Sequence, residues 1–167
     1  MVARSKSALG ISRSVAGSHH KALERLLSEY PLDCSELNRE RLALLQAHNE
    51  TRSSRRGLLI VDDVGVDKDM QGAYTYYDHA SGEFKRGFVL VTLSYCDHKV
   101  SYPLDIELYL PKKEFPQSYK SRISLAITMI ERLPEEFRFG SVVFDSWYAN
   151  REMQGMARLR ASTGWLE

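Results

Sequence analysis

Asp62, Asp63 and Asp145 are the residues whose types and spacing could do chemistry. The stretch "RRGLLIVDDVGV" (55–66) drives a run of apolar residues into two adjacent aspartates, and "FGSVVFDSWY" (139–148) drives a second run into one. Short apolar runs rich in branched residues read as strands buried on both faces, so each would deliver its acid at the strand's carboxyl end. A helical segment precedes the second run. Strands joined through a crossover helix lie parallel, which brings both sets of carboxylates to one edge of a sheet. Like charges held that close oppose each other's ionisation unless a cation sits between them. Mg²⁺ or Mn²⁺ suits hard carboxylate oxygens and keeps positions for water and phosphate oxygens. Two such ions, roughly 3.5–4 Å apart, can activate a water or hydroxyl and stabilise the leaving oxygen of a phosphodiester. Asp62, Asp63 and Asp145 are therefore candidate catalytic residues. Adjacent strand residues point to opposite faces, so the sequence leaves open which of Asp62 and Asp63 is the first ligand.

The elements that must position these acids follow from periodicity. Residues 1–18, small and polar with two glycines, read as a flexible arm. "HHKALERLLSEY" places Ala22, Leu23, Leu26, Leu27 and Tyr30 at helical spacing, with Ser18 as a possible N-cap and Pro31 at the end. "CSELNRERLALLQAHNE" predicts a second helix capped by Asp33 or Ser35. "NETRSSRRG" reads as a polar, basic linker, so 19–57 forms a helical segment and linker ahead of 58–167. After "LLIVDD", the stretch "GAYTYYDHASGEFKRGFVLVTLSYCD" predicts two strands around a turn at Gly82. A further strand contains Pro103, which argues for an edge or a bulge. "FPQSYKSRISLAITMIERLP" predicts a helix, "FGSVVFDSWY" a strand, and "NREMQGMARLRAS" a last helix.

This order, with acids after the first strand and after the strand that follows the helix, is that of an α/β ribonuclease H-like mixed sheet (β-β-β-α-β-α). "LLIVDDVGVDKD" followed by a long hairpin and "VVFDSWYANRE" resembles the catalytic domain of DDE transposases encoded by bacterial insertion sequences. In that family an Asp-x-Thr motif closes the first strand and "(V/I)xxDSWY" is a frequent second motif. The resemblance covers about residues 19–160 and places the first acid on Asp62, with Asp63 in the middle and Val64 where Thr is common. A shift of one residue would give the role to Asp63. The second acid falls on Asp145, so the resemblance implies Asp62 and Asp145 as metal ligands and Mg²⁺ or Mn²⁺ as cofactor. It also implies transposition: strand cleavage by water, then attack of the freed 3′-hydroxyl on target DNA. The family's third acid, a Glu in a Tyr-x-x-Arg-x-x-x-Glu pattern, has no counterpart here; Glu152 follows Asp145 too soon and Glu167 lacks the context. The expectation is thus a truncated transposase, incomplete at the C-terminus and inactive for want of the third acid.

Charge and composition narrow the alternatives. Net charge is +1, with 10 Lys/Arg against 6 Asp/Glu over residues 1–57 and 13 against 16 beyond. Arg52, Arg55 and Arg56 of "TRSSRR" are candidate phosphate contacts to transposon ends and target DNA, although a solvated linker explains them as well. Cys34 and Cys96, lacking CxxC spacing, suggest reduced thiols, most simply buried, and with no apolar run of membrane-spanning length and no leader the expected location is cytoplasmic. His19 and His20 read as a solvated helix start. Tyr74, Tyr76, Tyr77, Phe84 and Phe88 read as hairpin packing, with base stacking the alternative, and Trp147 and Tyr148 lean to packing. Rival functions are a related ribonuclease H-like nuclease and a non-catalytic DNA-binding or regulatory fragment that pairs with full-length transposase or dimerises. A phosphoacceptor domain is disfavoured, because its fold needs a crossover helix where this chain offers a hairpin.

Overall fold

The structure is a computed structural model that describes residues 7–13, 15, 17 and 19–162, with side chains described as far as Met156. Two compact units divide the chain between Glu40 and Arg41, a boundary that falls within a helix. In the first unit, α1 (Ala8–Ser12) lies inside the expected arm, with the Ser7 side chain accepting from the Gly10 N–H. Helix α2 (His20–Glu29) is capped by His19, whose ring accepts from the Lys21 N–H; Ser18 lies outside the described residues. Helix α3 (Cys34–Ala47) starts on Asp33, whose carboxylate accepts from the Ser35 and Glu36 N–H groups. Cys34 is exposed rather than buried.

The second unit is a mixed α/β structure with five strands among its described residues: β1 (Leu58–Asp67), β2 (Tyr74–Asp78), β3 (Glu83–Cys96), β4 (Ser101–Tyr109) and β5 (Ser141–Phe144). Strand β3 is antiparallel to β1 along all of β1, from Leu58↔Cys96 to Asp67↔Gly87. Gly87 faces Asp67 of β1 and Tyr74 of β2 at once, so β2 runs on the side of β3 away from β1. Farther along that side β4 takes over, from Val89↔Tyr109. The Tyr74 hydroxyl closes the junction, donating to the Tyr109 carbonyl (2.6 Å) and accepting from the Val89 N–H (2.8 Å). Pro103 behaves as expected: β4 pairs with β3 alone, and its register slips opposite Leu93 and Ser94, the signature of a bulge. Strand β5 is parallel to β1. The sheet is thus mixed and mostly antiparallel, consistent with a ribonuclease H-like fold; among the described residues four strands precede the helix, as the element-by-element reading expects and one more than the β-β-β-α-β-α order has.

Helix α4 (Arg122–Glu131) buries Leu125, Ala126, Met129 and Ile130 against Leu59, Val61, Val91, Leu93 and Tyr95. Helix α5 (Arg151–Ser162) adds Met153 and Met156. The opposite sheet face is open: Leu58, Val64, Ile106, Leu108 and Val143 are exposed. The first strand is therefore buried on one face, not two, because the antiparallel hairpin imposes an alternation that a parallel neighbour on each side would not.

The expected linker is pinned rather than free. Ser53, buried, donates from both N–H and hydroxyl to the Gln46 side chain and accepts from the Arg138 N–H, while the Ser54 N–H donates to the Tyr95 hydroxyl. These bonds satisfy a backbone that would otherwise be stranded beside the core.

Two glycines carry opposite expectations. A Cβ at Gly87 would lie 2.0 Å from the Val66 carbonyl oxygen, whereas one at Gly155, within α5, meets nothing within 4 Å. Gly87→Ala is expected to cost about 2–3 kcal/mol, because the obstacle is backbone of a paired strand. Gly155→Ala is expected to add about 0.5–1 kcal/mol by stiffening the unfolded chain. Urea unfolding midpoints of the two variants check both signs.

Candidate active site

Strand β1 does not end at its aspartates. Pairing with β3 carries it on to Asp67, whereas its parallel pairing with β5 stops at Val61↔Phe144. The acids lie where the shorter strand gives out, and the next positions on the same register are Asp62 and Asp145. Paired residues of a parallel ladder share a face. Leu59 and Val61 face the helices with Val142 and Phe144, so Asp62 continues the open face with Ile60, opposite the helices.

Asp62 and Asp145 are both exposed. The Asp62 carboxylate accepts from the Asp63 N–H (2.8 Å). Asp145 caps a 3₁₀ turn, Ser146–Tyr148, accepting from the Ser146 N–H (2.5 Å) and hydroxyl (3.1 Å). Among the described residues neither joins an ion pair. Nor do those residues contain a cluster of three or more His, Cys, Asp or Glu side chains that could hold a metal ion.

Asp63 points the other way and is already neutralised. Arg122 donates to one carboxylate oxygen (2.7 Å), and the Tyr148 hydroxyl donates to the other (3.2 Å). The Asp63 and Arg122 side chains are each 26% exposed, so the pair is partly shielded from water. Tyr148 is fully buried; burial first, and then the Asp63 charge, push its hydroxyl well above the usual tyrosine range, which keeps it a donor. The 3₁₀ turn thus links the two acid motifs: three residues after Asp145, the chain returns to Asp63.

Sequence reasoning missed Arg122, although one signal was present. An arginine as first residue of a helix opposes the helix dipole, which implies another partner for its charge. Packing was the right reading for Tyr148 and the wrong one for Trp147, which is 69% exposed. Of the hairpin aromatics, Tyr74 and Tyr76 are buried, whereas Tyr77 and Phe84 are exposed and pack edge-on against each other. Arg52, Arg55 and Arg56 are exposed. They precede Leu58, so they lie beyond the opposite end of β1 from Asp62, on the order of 13 Å of extended chain or more. The Arg52 Nε–H donates to the Gln46 carbonyl (2.9 Å).

Exposed carboxylates follow the ends of two parallel strands in a mostly antiparallel mixed sheet. A family model described as DDE superfamily endonuclease matches residues 1–163, and the chain belongs to that family, with a DDE transposase-like domain whose substrate class is DNA. No curated protein and no solved structure matches the chain. No helix among the described residues is long and apolar enough to cross a membrane.

The three aspartates are expected to differ in stability. Asp63→Asn should cost about 1–2 kcal/mol, since it leaves a partly shielded Arg122 without its counter-charge. Asp62→Asn and Asp145→Asn should each cost less than about 0.5 kcal/mol, because both are exposed and Asn caps nearly as well as Asp. Chemical denaturation of the three variants separates the structural acid from the other two.

Proposed function

We propose that this chain is a transposase domain whose Asp62 and Asp145 hold a divalent cation, Mg²⁺ or Mn²⁺, against DNA. The observation that supports this is the β1–β5 register, which ends at Val61↔Phe144, one residue before each of two exposed carboxylates that join no ion pair among the described residues. The donor chemistry fits: hard, anionic oxygens, open to solvent, with room for waters and phosphate oxygens around the ion. When bound, such a cation polarises a phosphodiester and favours an attacking water or hydroxyl.

The remaining work belongs to the chain's own residues. Tyr148 and Arg122 hold Asp63 on the helix side of β1, which leaves Asp62 on the opposite face. The 3₁₀ turn fixes Asp145 through its two bonds from Ser146. Arg52, Arg55 and Arg56 contact phosphates at the far end of β1, positioning DNA without reading its sequence. A second reading draws on the same two-acid constellation: a DNA-binding or regulatory form that pairs with a complete transposase, or with itself, without cutting.

Calorimetric titration of Mn²⁺ into the full chain tests the cation site. Binding is expected, weakened at least tenfold by Asp62→Asn or Asp145→Asn and little changed by Asp63→Asn. Loss with Asp63→Asn and retention with Asp62→Asn would overturn the assignment and move the ligand to Asp63, displacing Arg122. The DNA interface makes a separate prediction. Arg55→Ala and Arg56→Ala should each lower the slope of log affinity against log salt by about 1 for duplexes of any sequence.

A further inference from the structure

Among the described residues no side chain is buried before Leu42, so the first compact unit, which ends at Glu40, shows no core of its own. Its helices nonetheless carry large apolar side chains. Leu9 and Ile11 of α1, Leu26, Leu27 and Tyr30 of α2 and Leu37 of α3 are all exposed, Leu27 to 70% and Tyr30 to 58%. The three on α2 fall within one stripe about 100° wide, the pattern of a helix that buries a face. A unit of about 40 residues seldom buries enough surface to stand alone without a disulfide, a metal or association with another chain. Both cysteines are free, and no metal-holding cluster occurs among the described residues. Association is the remaining means.

We infer that the helical unit is a self-association surface, on which the apolar stripe of α2, with its neighbours on α1 and α3, packs against the same surface of a second copy of this chain. Charge decides between this occupant and DNA. Residues 20–40 carry three Lys/Arg against five Asp/Glu, and two of the three cations are already paired within their own helices, Arg25 with Glu29 and Arg39 with Glu36. A phosphate-binding surface needs an excess of cations, and this one has a deficit. Within α2, Lys21 and Arg25 balance Glu24 and Glu29, so two copies of the helix meet without net repulsion. The six apolar side chains expose on the order of 600 Å², close to the roughly 800 Å² that each partner contributes to a standard interface. The surface gives a location to the self-pairing reading above, on which it rests, and needs neither the cation site nor Arg52, Arg55 and Arg56.

Sedimentation equilibrium of the full chain, without DNA or divalent metal, tests this surface. A reversible dimer of the 19.1 kDa chain is expected. Leu27→Glu, at a position exposed in the single copy, should weaken dimerisation at least about tenfold. Leu27→Met should retain it, and Ile106→Glu, on the open sheet face, should leave it unchanged. Hydrogen exchange of the wild-type chain gives a second readout that needs no variant: the α2 amides should be better protected at high than at low protein concentration, with the β3 amides unaffected. A dimer that Leu27→Glu and Ile106→Glu weaken equally, or one whose α2 protection does not change with concentration, overturns this surface while self-pairing stands. A monomer at every concentration overturns both, and α2 protection that then appears on adding a blunt duplex assigns the surface to DNA.

Discussion

The structure depends on the unequal pairing of one strand. Strand β1 is bonded to β3 along its whole length and to β5 only as far as Val61. The long antiparallel ladder keeps β1 straight and in register past the point where β5 turns away into its 3₁₀ turn. At that step a sheet has no neighbour to one side, so carboxylates can be exposed there without interrupting the ladder on the other. Leu59 and Val61, both buried, lock the register, since a slip of one residue would turn them to solvent and drive Asp62 toward the core.

The alternation of β1 gives its adjacent aspartates different surroundings. Asp63, on the covered face, is partly buried beneath α4 and the 3₁₀ turn, and the protein supplies Arg122 and the Tyr148 hydroxyl to it. A carboxylate left there without a counter-charge would cost about 1–2 kcal/mol, as the pair is only partly shielded from water. Asp62, on the open face, remains hydrated and needs no internal partner. The pair thus divides: one acid fastens the β5 end to β1 and α4, and the other stands exposed on the open face, accepting from the Asp63 N–H. Tyr148 makes the fastening specific, because its hydroxyl is buried and its bond to Asp63 satisfies it.

Much of this was legible in the chain. Period-two and period-3.6 patterns placed α2, α3, α4 and α5 and the core strands, and Pro103 announced its bulge. The crossover helix implied the parallel β1–β5 pairing that sets the acids together. What was not legible came from tertiary contacts. That β1 continues through "VGVD" to Asp67 follows from the reach of β3, a partner distant in sequence. The fixed course of "TRSSRR" depends on Gln46, Tyr95 and Arg138, which no local pattern connects. The Asp63–Arg122 pair spans 59 positions and leaves only the misplaced charge at a helix start as a trace. Trp147 and Tyr148 stand side by side in one motif, and only the 3₁₀ turn decides that one is buried and the other exposed.

The central claim, that a cation sits where β5 ends beside β1 on the open face of the sheet, has a direct spatial test. Substoichiometric Mn²⁺ added to the ¹⁵N-labelled chain broadens the amide signals nearest the bound ion. Broadening is expected to centre on Asp62, Asp145 and Ser146 and to disappear in Asp62→Asn, with Arg122 and the α4 amides less affected. Broadening centred on Arg122 and the start of α4, or unchanged in Asp62→Asn, would contradict it.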